Sequence, residues 1–368
     1  MAESKKLNVG VIGYGLSAKV FHIPFIKSTP TLNLHSILQR TPTAQGSAPA
    51  DYPSIQHHTS LDSFLADAAL DLVVLSVPPQ THFSFAKQAL EAGKHVFVEK
   101  PFVPTSQEAD QLIALAKEKS RMICVYQNRR WDSDFLTVRK LIAEGTLGRI
   151  VEFETHFDRL KLEKPASWKG ELGMDQGGGA LYDLGTHLID QAYVLFGMPR
   201  SVFAKLVDQR DGAIAEDGND VHPDSVTAQL FYEDGTLVHV RIAIVSVEKK
   251  QLRYWIRGTK GSYRKLGLDP QEDQLKAGLT VNDAGFGYEE SEWNGTLTTL
   301  GDDGKIEEKT CPTIEPETYG KIYELYTKAL HSGKEEDIPV PASQARDVLR
   351  IIEAAKESAK NGREVKLS

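Results

Sequence analysis

One short stretch near the start of the chain constrains its fold more than any other. The apolar run over residues 9–12 suits a buried parallel strand, and it leads directly into Gly13-x-Gly15-x-x-Ala18. Gly13 permits a tight turn, Gly15 lets another group approach the backbone closely, and the small Ala18 lets a helix pack on the strand. The pattern predicts a strand, a tight turn and a helix in immediate succession.

Strand and helix patterns then alternate as far as residue 126. Further apolar runs that predict strands lie at residues 32–38, 70–77, 95–98 and 122–126, with helical patterns between them at 19–28, 61–69, 81–92 and 105–119. This order predicts a doubly wound parallel sheet, a Rossmann-type α/β domain over residues 1–127. Ligands of such sheets bind at the carboxyl ends of the strands. Gly13, Pro78, Lys100 and Asn128 all follow predicted strands.

The pattern changes near residue 149, where strands follow one another with little helix between them. The predicted strands are 150–157, 201–206, 225–231, 237–246 and 254–257, with one helix at 180–195. Beyond residue 258 the chain looks rich in loops, with a turn at 301–304 and two closing helices at 319–332 and 343–361. We predict a second, α+β domain over residues 128–368 with a large, open, mainly antiparallel sheet. The closing helices could pack back on the first domain.

Composition excludes several classes of function. The 368-residue chain carries a net charge of −8 and has no basic block, so nucleic-acid binding has no electrostatic support. Its two cysteines, Cys124 and Cys311, are too few for a disulfide framework, and nothing pairs them at metal-ligand spacing. No apolar run approaches membrane-spanning length, and the first residues lack the apolar core of a signal peptide. The sequence predicts a cytoplasmic protein without a metal, a membrane or a nucleic-acid partner.

The glycine turn and the end of the second strand together predict a bound dinucleotide. The turn and the helix N-terminus beyond it suit a pyrophosphate. An NAD site would place an acidic residue after the second strand, but this chain has Gln39-Arg40-Thr41. A guanidinium and a hydroxyl would bind the 2′-phosphate of NADP, so we predict NADP, with NAD as the alternative. Arg40 could equally be a solvated loop charge.

Three further segments carry residues suited to catalysis. Lys100 lies between Glu99 and Pro101, and a residue before proline is held extended, which would aim its ammonium across a cleft. Asp183 and His187 are four residues apart on a predicted helix and would share one face. Histidine suits proton transfer near neutral pH. Taken singly, Lys100 could be a surface lysine and His187 a structural histidine bonded to Asp183.

The third segment, Asn128-Arg129-Arg130-Trp131-Asp132, follows the last strand of the first domain. It could present polar groups and an aromatic ring to a sugar-like ligand, or it could form a salt-bridge seam between domains.

In order along the chain, Gly13-Tyr14-Gly15, Glu99-Lys100-Pro101 and Gly178-Gly179-x-x-x-Asp183-x-Gly185-x-His187-x-x-Asp190 resemble the motifs of the Gfo/Idh/MocA family of NAD(P)-dependent oxidoreductases. The resemblance covers essentially the whole chain. It implies that Lys100, Asp183 and His187 are the catalytic residues. His22-x-Pro24, the third segment and Tyr182-Asp183-Leu184 look like those of a branch of uncharacterised or inositol- and sugar-dehydrogenase-like members.

The resemblance implies hydride transfer between nicotinamide and a hydroxyl or carbonyl carbon of a sugar, polyol or sugar acid. We expect the cofactor to contact Gly13, Gly15, Leu16, Ala18, Arg40, Thr41, Pro78, Glu99, Lys100 and Asn128. We expect a polyhydroxy or carboxylated substrate to contact Lys100, Arg129, Trp131, Asp158, Tyr182, Asp183 and His187. Two alternatives remain open: a non-catalytic, cofactor-sensing regulator like the galactose repressors of this family, and a dehydrogenase for a non-sugar diol.

The predicted open sheet also suggests an assembly surface. The apolar residues expected on its strands are Val226, Ala228, Leu230, Val238, Val240, Ile242 and Ile244. One face should be covered by the helix and the other could pair with a second subunit. We predict a homodimer or a larger homo-oligomer formed through this sheet.

Overall fold

The computed structural model describes residues 5–43, 46–164, 168–214 and 222–367. The described chain divides into two compact units, each assembled from three stretches of sequence. The first unit is drawn from Met1–Trp131, Gln271–Phe286 and Glu317–Arg346, and the second from Asp132–Pro270, Gly287–Pro316 and Asp347–Ser368. The predicted domain boundary between residues 127 and 128 stays a prediction.

The first unit contains a parallel sheet in the strand order β3-β2-β1-β4-β5-β6. Its strands are β1 (Leu7–Ile12), β2 (Leu32–Leu38), β3 (Gln56–His58), β4 (Leu72–Leu75), β5 (His95–Val98) and β6 (Ile123–Val125). Its early helices are α1 (Ile23–Ser28), α2 (Ala48–Asp51), α3 (Leu61–Leu65), α4 (His82–Glu91) and α5 (Ser106–Glu118). The predicted doubly wound parallel sheet is confirmed.

Local signals explain where two of these helices begin. The Ser60 side chain accepts a hydrogen bond from the Ser63 amide and caps α3. Thr105 and Glu108 form a capping box at the start of α5, each side chain bonding the other residue's amide. The prediction for α3 ran too far, because the helix ends at Leu65 rather than at residue 69.

The second unit contains a mixed sheet, ten-stranded within the described residues, in the order β15-β14-β13-β12-β7-β11-β10-β8-β16, with β9 paired to β8. The strands are β7 (Ile150–Asp158), β8 (Ser201–Asp208), β9 (Ala213–Ile214), β10 (Ser225–Phe231), β11 (Leu237–Ala243), β12 (Leu252–Gly258), β13 (Gly261–Leu266), β14 (Gly295–Leu300), β15 (Ile306–Cys311) and β16 (Val365–Lys366). Most pairs are antiparallel, and β7 with β11 is parallel. Helices α6 (Ser133–Ala143), α7 (Trp168–Glu171) and α8 (Thr186–Phe196) belong to this unit.

Two features of the second unit differ from the sequence-based expectation. The region beyond residue 258, expected to be rich in loops, forms the antiparallel strands β13, β14 and β15. β15 is almost wholly exposed, and apolar Leu300 and Ile306 face solvent, so hydrophobic periodicity is weak there. Helix α6 was also not predicted. It is buried on all sides over its first six residues, so it shows no one-sided apolar stripe.

The remaining helices lie late in the sequence. They are α9 (Gln271–Lys276), α10 (Gly320–Ser332) and α11 (Ala342–Asn361). α9 and α10 belong to the first unit. None of the helices in the described residues combines the length and the apolar character needed to cross a membrane.

The apolar residues expected on the sheet of the second unit are all buried: Val226, Ala228, Leu230, Val238, Val240, Ile242 and Ile244. Helix α8 packs against β7 and β11. The opposite sheet face is more polar and carries exposed Leu237 and Trp255, which are 39% and 40% accessible. The sheet therefore has one face built into the core of its unit and one face that is partly open.

Candidate active site

The glycine turn at the end of β1 has the geometry that its residues predict. Gly13 has φ +97°, and a side chain there would approach the carbonyl oxygen of Ser76 to 2.1 Å. Gly15, in contrast, has open space where its side chain would stand, and the adjacent Leu16 is 64% exposed. Ala18 is fully buried. The turn is therefore closed against its own sheet at Gly13 and open at Gly15.

The helix after the turn is wound more widely than expected. Residues Ala18–His22 form a π-helix, and α1 continues from Ile23 with Pro24 in its first turn. Proline has no N–H to donate to the carbonyl of Val20, and the wider turn accommodates the missing hydrogen bond. This winding places His22 in the interior, where it is fully buried.

The end of β2 presents the residues expected to select the cofactor. Arg40 and Thr41 are exposed, and β2 pairs in parallel with β1, so they follow the same edge of the sheet as the glycine turn. The Gln39 side chain fixes the next loop, donating to the Gly46 carbonyl and accepting from the Ala48 amide, each at 2.8 Å. Arg40 therefore presents its charge to solvent from a strand end that is anchored by the neighbouring Gln39.

Glu99, which follows β5, is bonded on both carboxylate oxygens. Oε1 accepts from the Ser17 hydroxyl and from Nε2 of His22 at 3.0 Å, and Oε2 accepts from the Lys100 amide at 3.1 Å. Burial alone would raise the pKa of Glu99, but the bonds from His22 and Ser17 and the charge of Lys100 lower this pKa to about 2. The carboxylate is therefore ionised and ties the glycine-turn helix to the end of β5.

Lys100 and Pro78 are half-buried residues at neighbouring strand ends. Pro78 follows β4 and Lys100 follows β5, which pair in parallel. The Lys100–Pro101 peptide bond is cis. Because β4 and β5 run parallel to β1, Pro78 and Lys100 both lie at the carboxyl edge that also carries the glycine turn.

Beyond β6, residues Asn128–Trp131 form a buried 3₁₀ turn. The Arg129 guanidinium contacts the Glu272 carboxylate of α9. Gln271 anchors α9 beside this turn, because its side-chain amide donates to the Trp131 carbonyl at 3.1 Å. Trp131, expected to offer its ring to a ligand, is only 6% exposed.

Glu272 is a charged residue of this region that the sequence did not reveal. Burial would raise its pKa, but Arg129, Lys276 and Lys100 outweigh that effect and lower the pKa to about 2. The carboxylate therefore lies within electrostatic reach of Lys100. Nothing in the sequence marks it, since it stands 143 residues from Arg129 in a region expected to be loop.

In the second unit, a run of three glycines precedes the other candidate residues. Gly177 and Gly179 have φ of +79° and +82°, and a side chain at Gly178 would meet the Leu172 carbonyl oxygen at 2.1 Å. The chain then forms a π-helix over Leu181–Gly185 and continues as α8. Three adjacent positions thus require or favour glycine, and the candidate residues begin directly after them.

Asp183 lies in the π-helix and His187 in the first turn of α8. Asp183 is one-third exposed, with Oδ2 at 4.0 Å from the Arg159 guanidinium, and His187 is largely buried. Asp158, at the end of β7, accepts from Nδ1 of His156 at 3.1 Å. The residues expected to bind substrate in this unit are therefore set among charged neighbours.

Tyr182 occupies a different environment from the one expected. Its ring is fully buried and its hydroxyl lies 3.4 Å from the Lys356 ammonium. That ammonium also donates to the Met174 carbonyl at 3.3 Å. Tyr182 thus bonds to α11 within its own unit.

Comparison with known families decides the class of protein. A model described as "Oxidoreductase family, NAD-binding Rossmann fold" matches residues 7–127, and one described as "Oxidoreductase family, C-terminal alpha/beta domain" matches residues 139–367. The chain belongs to the Gfo/Idh/MocA family of oxidoreductases.

Individual family members resemble the chain over nearly its full length. An uncharacterized oxidoreductase of Schizosaccharomyces pombe is 40% identical, covering 98% of this chain and 99% of its own. The Bacillus subtilis protein named scyllo-inositol 2-dehydrogenase (NADP(+)) IolW is 36% identical, covering 98% of this chain and 96% of its own. The solved structure of YvaA from Bacillus subtilis, described as an oxidoreductase, is 33% identical with a TM-score of 0.91 and covers 100% of both chains.

Membership in the Gfo/Idh/MocA family gives the first unit an NAD-binding Rossmann fold. The local geometry fits a dinucleotide: the free space at Gly15 lets a pyrophosphate approach the backbone, and exposed Leu16 borders it. Gly13, Gly15 and Leu16 would hold the pyrophosphate, and Arg40 and Thr41 lie where the adenine ribose of such folds is bound. A nicotinamide dinucleotide is thus compatible with the residues present.

Proposed function

We propose that this chain is an oxidoreductase that prefers NADP(H) and transfers a hydride between nicotinamide and a hydroxyl or carbonyl carbon of a sugar, polyol or sugar acid. The observation that carries the proposal is the position of Lys100. It follows β5 at the edge of the parallel sheet where β1 ends in the glycine turn. The relative named scyllo-inositol 2-dehydrogenase (NADP(+)) supports the polyol class and the cofactor.

In the proposed mechanism, Lys100, Asp183 and His187 act on one substrate oxygen and its neighbours. The bound nicotinamide supplies the hydride chemistry. His187 takes the hydroxyl proton during oxidation and returns it during reduction. The Lys100 ammonium donates a hydrogen bond to the same oxygen and stabilises its developing negative charge. Asp183 orients His187 or binds a neighbouring hydroxyl.

The NADP preference rests on Arg40 and Thr41. Both are exposed at the end of β2, and no acidic side chain occupies residues 39–41. A guanidinium donates paired hydrogen bonds to a phosphate, whereas a carboxylate here would favour the unphosphorylated ribose. The alternative cofactor, NAD, would require the ribose to be bound without an acidic partner from this strand end.

A screen with matched lysine variants tests the proposal. Aldoses, uronic acids, inositols and non-sugar diols are offered with NADP⁺ and with NAD⁺, and the absorbance of the reduced cofactor is followed. We expect turnover of a polyhydroxy substrate with NADP⁺, lost in Lys100→Met and His187→Ala but kept in the exposed control Lys87→Met. NADPH binding, measured by fluorescence, should persist in all variants.

Three outcomes of this screen would contradict the proposal. NADPH binding without turnover of any substrate would favour a cofactor-sensing regulator. Near-normal turnover in both Lys100→Met and His187→Ala would refute the assigned roles. Turnover confined to non-sugar diols would replace the proposed substrate class.

We also propose that the chain forms a homodimer through the open face of the second unit's sheet and acts in the cytoplasm. Leu237 and Trp255 support the first proposal, because both are large, apolar and partly exposed on that face. They flank a row of ion pairs on the same face, in which Nε2 of His239 lies 2.9 Å from Glu152. Free thiols at Cys124 and Cys311 suit a reducing compartment.

A further inference from the structure

The first unit buries a histidine, His22, among aromatic rings. It belongs to the His22-x-Pro24 motif, it is fully buried, and it lies outside the proposed catalytic set of Lys100, Asp183 and His187. Aromatic rings surround it: its ring centroid lies 4.6 Å from that of Tyr126 and 6.2 Å from that of Phe97. A buried imidazole within an aromatic cage is costly unless both of its nitrogens are bonded.

Both nitrogens of His22 are bonded, and to side chains from distant parts of the sequence. Nε2 lies 3.0 Å from Oε1 of Glu99, and Nδ1 lies 2.5 Å from the Tyr323 hydroxyl of α10. The ionised carboxylate can only accept, so Nε2 carries a proton. The Tyr323 hydroxyl lies closer to Nδ1 than to the Phe21 carbonyl, to which it donates at 3.4 Å. His22 is therefore held at both ring nitrogens, by Glu99 on one side and by Tyr323 on the other.

The chain of contacts that begins at Tyr323 and passes through His22 and Glu99 ends at the proposed catalytic lysine, Lys100. Glu99 accepts from the backbone amide of Lys100 at 3.1 Å and from the Ser17 hydroxyl in the glycine-turn helix. Tyr323, His22 and Glu99, here named the Glu99 clamp, thus connect α10, the helix after the glycine turn and the end of β5. Every link lies within the first unit.

We infer that Tyr323 and His22 are positioning residues for the reaction, acting through Glu99 to set the direction in which Lys100 leaves β5. The inference rests on the proposed function, since it assumes that Lys100 acts on the substrate. Neither residue touches the reacting atoms. The Glu99 clamp fixes the amide of Lys100 relative to the glycine turn, and so relative to a dinucleotide bound there. A small error in such a position has a large effect on rate.

Helix α10 offers a matched control for a test. Tyr326 is as buried as Tyr323, and its hydroxyl is bonded to the carbonyls of Val96 and Met122 at 3.0 and 2.9 Å. Tyr323→Phe and Tyr326→Phe each remove one buried hydroxyl and leave the ring in place. A purely structural role for Tyr323 predicts that the two variants behave alike.

Turnover is measured on the best substrate of the screen above. We expect Tyr323→Phe to lower kcat about 10-fold with little change in KM for NADP⁺, and Tyr326→Phe to leave kcat near wild type. Both should lower Tm by a similar amount. His22→Gln keeps an N–H donor within reach of Glu99, so it should retain more kcat than His22→Leu, which provides a second test if Tyr323→Phe does not fold.

A second readout needs no substrate. Nitrogen-15 NMR of the His22 imidazole should give the same Nδ1 signal in wild type and in Tyr326→Phe, and a changed Nδ1 signal in Tyr323→Phe. Carbon-13 methylation of lysines, with Lys100→Arg to assign the signal, should show a Lys100 resonance that shifts in Tyr323→Phe alone.

The outcomes separate this inference from the proposed function. Equal kcat in Tyr323→Phe and Tyr326→Phe, with Lys100→Met inactive, would overturn the role of the Glu99 clamp and leave the proposed function standing. Equal kcat in His22→Gln and His22→Leu would have the same meaning. Normal turnover in Lys100→Met would overturn both.

Discussion

Glu99 and Glu272 keep negative charges although their side chains are only 13% and 29% exposed. Each is surrounded by donors or cations from separate parts of the first unit: Ser17, His22 and Lys100 for Glu99, and Arg129, Lys276 and Lys100 for Glu272. An isolated carboxylate with so little access to water would be driven toward its neutral form. The arrangement therefore links the ionisation of the site to the folded state.

The lowered pKa of Glu272 predicts a loss of stability in acid. A carboxylate whose folded pKa is about 2, against an ordinary value of 4.5, contributes stability above pH 4.5 that disappears as the pH falls toward 2. The upper limit of this contribution is about 3 kcal/mol. We expect Glu272→Gln to be less stable than wild type at neutral pH, with the difference shrinking between pH 4.5 and pH 2. Urea unfolding at several pH values measures it.

The exposed Glu335→Gln variant is the control for that experiment, since its stability curve should run parallel to that of wild type. A Glu272→Gln curve that also stays parallel to wild type would show that the ionisation of Glu272 is not coupled to folding.

Arg40 carries a separate prediction about the cofactor. If Arg40 binds the 2′-phosphate as proposed, replacing it by alanine should remove a charge-assisted contact and lower kcat/KM for NADP⁺ by about 10-fold or more. The value for NAD⁺ should change little, because that cofactor lacks the phosphate. Kinetics with both cofactors decide the matter, and an unchanged ratio in Arg40→Ala would remove Arg40 from the binding site.

At the scale of the element, the two glycines of the turn have different expected roles, Gly13 in folding and Gly15 in binding the cofactor. Gly13→Ala places a side chain at positive φ and against the Ser76 carbonyl, so we expect a clear fall in Tm. Gly15→Ala meets nothing in the protein, so it should fold normally yet bind NADPH more weakly, because the new methyl group occupies the space left for the pyrophosphate. Thermal melting and NADPH fluorescence distinguish the two. Unimpaired binding in Gly15→Ala would place the dinucleotide elsewhere.

Elements with a clear apolar pattern could be predicted from the sequence, and elements with weak patterns could not. β2, β5 and β10 begin and end at the predicted residues, since β5 is a short apolar run and β2 and β10 mix apolar with polar residues in a strand-like order. The turn at 301–304 is also confirmed, by the hydrogen bond from the Gly301 amide to the Lys305 carbonyl. The exposed strand β15 and the first six residues of helix α6, which are buried on every side, lack any one-sided pattern, so local reasoning missed both elements.

The candidate site illustrates the same limit for side chains. Lys100, Asp183 and His187 could be named because short motifs surround them. Glu272 and Tyr323 could not, because only the folded first unit brings α9 beside Arg129 and α10 beside His22. Contacts across such sequence separations leave no local signal.

At the scale of the whole molecule, the open sheet face predicts assembly. We expect wild type to be a dimer at micromolar concentration by light scattering, and Trp255→Glu to be a monomer, since a charge would be buried without a partner. Val247→Glu is the control, because that residue is already 81% exposed outside the sheet and should leave the dimer intact. A monomeric wild type, or a dimeric Trp255→Glu, would refute this assembly mode.

The central claim is that Lys100 of the first unit and His187 of the second unit act on one substrate oxygen beside the nicotinamide. A crystal structure with NADPH and a bound polyol tests it most directly. We predict that the Lys100 ammonium and the His187 imidazole both lie about 3 Å from the same substrate oxygen. If the two side chains instead face separate regions of solvent, away from the nicotinamide, the proposed catalytic mechanism is wrong.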